Sequence, residues 1–205
     1  MIAIYGPGIG PANAVTATPS NGFYPTTLGG VQVTMNGMNM PLLYVSANQI
    51  NAVVPMEATI GSGATVQVTN GESSAQFPVW TIACAPQAYS GVLNQDGTLN
   101  SQTNPAKDGS IVTLYATGLQ TNFAPLADGQ VATAAQDLCN GGCSASGGTV
   151  LYGGVAPDLV AGVSQFNVQL GMFPGSGVAT VNVGTAANVS LVGSQAVSVS
   201  VWVEP

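Results

Sequence analysis

The sequence predicts an all-β protein of two tandem β-sandwiches joined by a β-hairpin linker. Apolar and small polar residues alternate with a period of two between turn signals, whereas helical periodicity is hard to find. Several segments also recur in the same order in both halves of the chain, as in a duplicated domain. The 205 residues suffice for two sandwiches of roughly 100 residues each.

The predicted strands are segments in which apolar or β-branched side chains alternate with small polar ones. Such alternation is typical of antiparallel strands with one buried and one solvated face. The chain opens on a strand at Met1–Gly6, so we expect any targeting segment to have been removed or to lie outside this sequence. Further examples, in chain order, are residues 31–35, 64–69, 178–183 and 196–201.

Tight turns are predicted between these strands by Asn-Gly and Asp-Gly pairs. Such pairs supply the positive φ that short hairpins require. The pairs begin at Asn36, Asn70, Asp96, Asp108 and Asp128.

Internal repeats set the predicted domain boundaries. Three matches occur in the same order: Ile2–Ile9 with Ile111–Leu119, Gln49–Asn51 with Gln165–Asn167, and Gly63–Val68 with Gly177–Val183. We therefore expect one sandwich at 1–82, a linker at 83–105 and a second sandwich at 106–205. Asp96-Gly97 predicts a hairpin within the linker, which is stiffer than a Gly/Ser tether.

Five motifs in order cover nearly the whole chain: Leu28–Val31, Pro41–Ser46, Gln49–Pro55, Asn94–Asn100 and Leu114–Leu119. Together they resemble a tandem IPT/TIG-like module found at the C-terminal end of many large secreted bacterial proteins. The resemblance implies two immunoglobulin-like β-sandwiches and a secreted, extracellular or cell-surface location. It implies no assigned activity and no catalytic residues.

The scarcity of charge excludes several classes of partner. Charged residues make up 4% of the chain, Lys107 is the single cation, and the net charge is −7. A phosphate backbone or an anionic membrane surface needs several basic side chains, so neither is an expected partner. Polar residues interrupt every apolar stretch, so we expect no membrane insertion.

The three cysteines predict a disulfide. Cys139 and Cys143 flank two glycines, which allow a short loop to fold back into disulfide geometry, as expected in an oxidising compartment. Cys84 either pairs with one of them or stays free. Three thiols without a histidine make a poor metal site, and no cofactor is expected.

Catalysis is not predicted. The chain contains no histidine, which removes the commonest general base, and only eight carboxylates. Two carboxylates across a cleft are enough for a glycosidase, but Asp96, Asp108 and Asp128 each precede a turn glycine, where backbone geometry alone favours aspartate.

Other candidate sites each have a structural alternative that we favour. A hairpin turn explains Asn94–Thr98 better than a calcium loop does, and a strand-to-loop turn explains Gly6–Gly10 better than a phosphate loop does. Lys107 lies in a predicted turn, which favours a solvated residue over an isopeptide bond. Asn188 is a lone glycosylation sequon, and the tyrosines and tryptophans leave room for a sugar site.

We predict a non-enzymatic extracellular structural protein, a self-assembling subunit of a surface filament or layer. Nearly uncharged surfaces pack without desolvating ions. Homo-oligomers or homopolymers are expected to form by strand addition at the first and last strands, whose edge residues are Ile2, Ile4, Val197, Val199 and Val201. The alternatives are a cell-surface adhesion or glycan-binding module and a passive spacer in a larger secreted protein.

Overall fold

The computed structural model describes residues 1–59, 61, 63–82, 85–119, 126–137, 139, 142–185 and 195–205. These residues form strands, turns and loops, without a helix among them, which confirms the predicted all-β class. In this part of the chain there is accordingly no helix with the length and apolarity needed to cross a membrane.

The chain divides into two compact units. Unit 1 comprises Met1–Ala83, Ala124–Thr133 and Pro157–Gly162, and unit 2 comprises Cys84–Phe123, Ala134–Ala156 and Val163–Pro205. The segment predicted as a linker contributes residues 85–105 to unit 2, where Leu93 and Leu99 form the bridge of the expected hairpin.

Unit 1 is a sandwich of two antiparallel sheets. Its strands are β1 (Ile2–Tyr5), β2 (Val15–Thr16), β3 (Thr27–Leu28), β4 (Val31–Met35), β5 (Met38–Asn39), β6 (Leu42–Val45), β7 (Gln49–Ala52), β8 (Gly63–Asn70) and β9 (Ser73–Trp80). One sheet has the order β1-β7-β6-β2, and the other has the order β3-β4-β8-β9 with β5 beside β4. Alternate residues of both sheets form the core, which includes Val33, Leu42, Ile50 and Val66.

Unit 2 is also a sandwich of two sheets. Its strands are β10 (Gln87–Ala88), β11 (Ala106–Lys107), β12 (Ile111–Thr117), β13 (Gln136–Asp137), β14 (Cys143–Ala145), β15 (Gly148–Val155), β16 (Val163–Leu170), β17 (Gly177–Thr185) and β18 (Gln195–Glu204). The sheets have the orders β10-β12-β16-β15-β13 and β11-β18-β17-β14. Leu114, Phe166, Val181 and Val201 lie in the core between them.

The strand order of unit 2 is that of an immunoglobulin-like domain. Strand β10 pairs antiparallel with β12 in one sheet, and β11 pairs parallel with β18 in the other. The first strand of the domain therefore passes from one sheet to the other. The orders β10-β12-β16-β15 and β18-β17-β14 correspond to strands A-B-E-D and G-F-C of that fold. The predicted pair of immunoglobulin-like sandwiches is therefore confirmed.

The repeat seen in the sequence occupies equivalent positions in the two units. Ile4 pairs with Ile50 in unit 1, and Leu114 pairs with Phe166 in unit 2. The side-chain amide of Gln49 donates to Asn51 Oδ1 at 2.9 Å, and the side-chain amide of Gln165 donates to Asn167 Oδ1 at the same distance. Strands β1 and β12 are thus the same strand of the fold, as are β7 and β16.

The glycines of all five predicted turn pairs have positive φ. In the first pair both residues do, with φ of 49° at Asn36 and 81° at Gly37. Two successive positive values are typical of a type I′ turn, which here joins β4 to β5.

Candidate functional site

The first predicted assembly edge is an end strand. Strand β1 pairs with β7 on one side and with no other strand of the described chain. Ile4 is buried and Ile2 half-buried, so these side chains face the core. What the edge offers to a partner is therefore the backbone of β1.

The second predicted edge is partly covered within unit 2. Val197, Val199 and Val201 are buried in the core, and their strand β18 pairs with β17 along its length. On the other side of β18, β11 pairs with Val203 and Glu204 alone. Among the described residues no strand covers this side between residues 196 and 201.

An asparagine side chain continues the pairing of β18 beyond β11. Asn100 Oδ1 accepts a hydrogen bond from the Trp202 backbone N–H at 2.7 Å, and Asn100 Nδ2 donates to the Trp202 carbonyl at 2.8 Å. The same Nδ2 donates to Asn94 Oδ1 at 2.9 Å, and the buried Asn94 donates to the Asn104 carbonyl at 3.0 Å. Three asparagines therefore hold the hairpin against the edge of β18.

The candidate calcium loop is the turn of this hairpin. Asp96 Oδ1 accepts from the backbone N–H of Thr98 at 3.0 Å and from its hydroxyl at 2.6 Å. These bonds stabilise the charged carboxylate, and the pKa of Asp96 lies below its ordinary value. Over the described residues, no group of three or more His, Cys, Asp or Glu side chains is arranged to hold a metal ion.

The first strand of unit 2 packs closely on β12. Leu93 and Thr113 exchange two backbone hydrogen bonds of 2.9 Å, and Tyr89 N–H donates to the Tyr115 carbonyl at 2.9 Å. At the end of β12, a Cβ on Gly118 would lie 2.0 Å from the Ala85 carbonyl oxygen. Residues 85–107 thus cover the edges of both β12 and β18.

Unit 1 has no such segment among its described residues. Gly8, which corresponds to Gly118, has the same positive φ, but a Cβ there would meet nothing within 4 Å. Strands β1 and β9, which correspond to β12 and β18, are both end strands of their sheets.

Side chains at the edges of unit 1 are more exposed than their counterparts at the covered edges of unit 2. Val79 pairs with Ala64 as Val201 pairs with Ala179, so Trp80 corresponds to Trp202. Trp80 is 72% exposed, whereas Trp202 is half-buried.

The same contrast holds at the other edge and inside the core. Tyr5 is 72% exposed and its counterpart Tyr115 is half-buried. Val79 is half-buried, whereas Val201 is fully buried. Tyr5 and Trp80 were not among the predicted edge residues, because the repeat identifies their counterparts Tyr115 and Trp202 but does not show that their exposure differs.

The cysteine loop lies at the start of β14. Cys139 and Cys143 are joined by a disulfide, with their Cα atoms 5.1 Å apart. The Cys139 N–H donates to Asp137 Oδ1 at 2.9 Å and to the Gly153 carbonyl at 3.1 Å. Cys84, like the sequon at Asn188, lies outside the described residues.

The carboxylates of two other predicted turns also accept hydrogen bonds from backbone N–H groups. Asp108 accepts from the Phe173 N–H through both oxygens, at 3.1 and 3.2 Å, and Asp128 accepts from the Met56 N–H at 3.0 Å. Burial raises the pKa of Asp128 above its ordinary value, the Met56 N–H opposes that shift, and Glu57 adds to it.

The candidate phosphate loop is a turn packed on the loop before β7. Gly6 N–H donates to Asn48 and Ile9 N–H donates to Ala47, at 3.2 and 3.1 Å. A Cβ on Gly10 would lie 2.5 Å from the Ser46 carbonyl oxygen, so this close approach requires glycine. Lys107 lies exposed at the end of β11 and is the first residue of the turn that follows, because its carbonyl accepts a hydrogen bond from the Ser110 N–H at 3.0 Å.

Comparisons with known proteins give remote likenesses. No family model and no curated protein matches the chain. Solved structures that match the chain remotely include the S-layer protein SbsC domains 4 and 5, at 15% identity over 91% of this chain and 75% of that one, with a TM-score of 0.21.

Two further likenesses are similarly remote. The Streptococcus agalactiae AgI/II polypeptide BspA C-terminal domain is 13% identical over 80% of this chain and 64% of that one, with a TM-score of 0.28. Zebrafish RET cadherin-like domains 1 to 4 are 12% identical over 86% of this chain and 41% of that one, with a TM-score of 0.24. The fold assignment therefore rests on the strand order described above.

Proposed function

We propose that this chain is a non-enzymatic extracellular structural protein that assembles through the edges of its sheets into a surface filament or layer. The observation that carries the proposal is that no strand of the described residues pairs with the outer sides of β1 and β9 in unit 1. Each has an exposed aromatic residue at its end, Tyr5 on β1 and Trp80 on β9. An open strand edge with apolar side chains is a template for pairing with another chain.

The composition of these edges supports assembly. Neither β1 nor β9 contains a charged side chain, and charged residues are a common device against edge pairing. Pro78 is the one residue of β9 without an N–H, so an added strand would lack a backbone donor at that position. A contact between different edges of successive subunits propagates into a filament or closes into a ring.

The finer features of the proposal follow from the sequence. The five motifs resemble an IPT/TIG-like module of secreted bacterial proteins, and we place the chain outside the cell or on its surface on that basis. The disulfide between Cys139 and Cys143 is compatible with an oxidising compartment. The turn carboxylates are engaged by backbone N–H groups, which supports a structural role over catalysis.

A glycan-binding or adhesive module is the second candidate, because Tyr5 and Trp80 are exposed and aromatic rings also stack on sugars. A passive spacer in a larger secreted protein is the third, which the resemblance supports.

Electron microscopy of the non-reduced protein at high concentration tests the proposal. Ordered filaments or sheets are the expected result. Dispersed monomers at every concentration contradict it, and a glycan array on those monomers then separates the adhesive module from the spacer.

A further inference from the structure

Residues 85–107 have a defined role in unit 2. They pair with β12 through β10 and Leu93, cross to the other sheet, and pair with β18 through Asn100 and β11. They also contribute two side chains to the core, because Val92 and Ala106 are each only 3% exposed. One segment thus closes both sheets on one side of the sandwich.

In unit 1, no described segment covers the corresponding edges of β1 and β9. No described strand pairs with the outer side of β1 or of β9. The space beside Gly8 is empty where Gly118 contacts Ala85, and Trp80 is exposed where Trp202 is half-buried. The partly buried Phe77 and Val79 lie on the core face of β9.

The backbone groups of β1 on this side can be identified from unit 2. Thr113 both donates to and accepts from Leu93, and Thr113 corresponds to Ala3 because Leu114 corresponds to Ile4. The N–H and C=O of Ala3 therefore point away from β7. They present the pair of hydrogen-bonding groups that Leu93 uses in unit 2.

We propose that unit 1 is an immunoglobulin-like sandwich completed by an added strand, and that this strand is an extended, nearly uncharged segment with the residue pattern of residues 85–107. Its Val92 position fills the open side of the core, its Leu93 position pairs with Ala3, and its Asn100 position pairs with the backbone of Trp80. The occupant is a peptide segment supplied to unit 1. This inference rests on the proposed function, because both treat the edges of β1 and β9 as edges that pair with an added strand.

The pattern of the occupant follows from the equivalence of the two units. Ile4 and Leu114 hold the same position, as do Trp80 and Trp202, so the same segment fits both sandwiches. Neither edge strand of unit 1 has a charged side chain, which matches a segment whose one Asp and one Lys lie in its turn and at its end. Pairing with β18 stops before Ser200, so Pro78 at the corresponding position of β9 is no obstacle.

The test titrates a synthetic peptide of residues 85–107 into the full chain carrying Trp202→Phe. Trp80 is then the sole tryptophan, since the peptide contains none. We expect saturable binding at one site per chain and a blue shift of Trp80 emission as its ring leaves water. Calorimetry measures the affinity without a fluorescent label.

One matched pair of protein variants and one peptide variant locate the site. Ala3→Pro removes the N–H that faces the added strand and should weaken binding at least about tenfold, whereas Ala3→Thr, the residue of unit 2, should leave it unchanged. A peptide with Asn100→Leu should bind about tenfold more weakly to the unaltered protein, which tests the pairing even if Ala3→Pro fails to fold.

The outcomes separate this inference from the proposed function. Absence of saturable binding, or binding that neither Ala3→Pro nor Asn100→Leu changes, overturns the inference even if filaments form. Binding with this variant pattern to a chain that stays monomeric supports the inference and contradicts the proposed filament. Oligomers that the peptide dissociates support the inference with a second copy as donor.

Discussion

Asparagine side chains take the place of backbone where the chain of unit 2 passes between its sheets. Asn100 pairs with both backbone groups of Trp202 and also with Asn94, which is 9% exposed. A strand cannot pair there, because the chain is turning, and an amide side chain offers the same donor and acceptor as a peptide group. The motif Asn94–Asn100 is therefore explained by structure.

Removing this amide should destabilise unit 2. Asn100→Ala leaves the Trp202 N–H and carbonyl without their partners, so we expect the free energy of unfolding to fall by about 1–2 kcal/mol. Urea unfolding followed by Trp202 fluorescence in a Trp80→Phe background measures it. Gln102→Ala, in the exposed turn beside it, should change stability by less than about 0.5 kcal/mol. Equal effects of the two variants would show that water replaces the lost bonds.

Asp128 makes a pH-dependent contribution to the stability of unit 1. Its pKa is raised in the folded state, chiefly by burial, so the folded chain holds the proton more tightly than the unfolded chain. Stability is therefore fully present below the ordinary aspartate pKa of about 4 and decreases as the pH rises through the raised value. Asp128→Asn retains an acceptor for Met56 and carries no charge.

The stability of Asp128→Asn relative to the unaltered chain should increase from about pH 3 to pH 7. Thermal unfolding across this range measures the difference. Asp158→Asn, at another turn of unit 1, is the control. A difference that stays constant with pH would contradict the raised pKa.

At the scale of the strand, β15 is adapted to the disulfide beside it. Gly153 pairs with Phe166 on β16 and accepts a hydrogen bond from the Cys139 N–H. Its lack of a side chain leaves room for the Cys139 sulfur and the Phe166 ring. A glycine inside a strand often marks such a close approach.

A side chain at Gly153 should distort this region. A Cβ there would lie 2.1 Å from Cys139 Sγ and 2.9 Å from the Phe166 ring. We expect Gly153→Ala to lower the free energy of unfolding by about 1–3 kcal/mol, because a buried strand and a disulfide cannot both shift freely. Gly175→Ala, where a Cβ meets nothing within 4 Å, is the matched control. Equal unfolding midpoints for the two variants would refute the close packing.

At the scale of the whole molecule, the dominant property is the near absence of charge. With one cation and a net charge of −7, subunits can form few salt bridges with one another. The proposed assembly would therefore rest on backbone pairing and apolar contacts, with a modest mutual repulsion between like-charged chains. It would differ in this respect from assembly by complementary charge.

Assembly should therefore resist salt. We expect the assembled fraction to stay constant or rise slightly between about 0.05 and 0.5 M NaCl, because salt screens the mutual repulsion and there are few ion pairs to weaken. Sedimentation of the polymer measures this fraction, and a mild denaturant, which competes for backbone hydrogen bonds, is the positive control. Dissolution by salt would indicate that charge pairs hold the subunits together.

The sequence by itself determined the fold class, the duplication and the turn glycines. These rest on local signals, since strand alternation and positive φ are properties of short segments. The repeat at Ile4 and Leu114, or at Gln49 and Gln165, also needs no contacts to be recognised. The disulfide between Cys139 and Cys143 was predictable for the same reason, because its partners are four residues apart.

Only the tertiary structure decided which edges are open. The first and last strands were the predicted edges, but β18 is partly covered by β11 and Asn100. Strand β9, which was not a predicted edge, is an end strand of its sheet among the described residues. Strand pairing joins backbone groups that are distant in the chain, and backbone groups are the same for nearly every residue. An unpaired edge therefore leaves no reliable mark in the sequence and becomes visible only when the two sandwiches are compared.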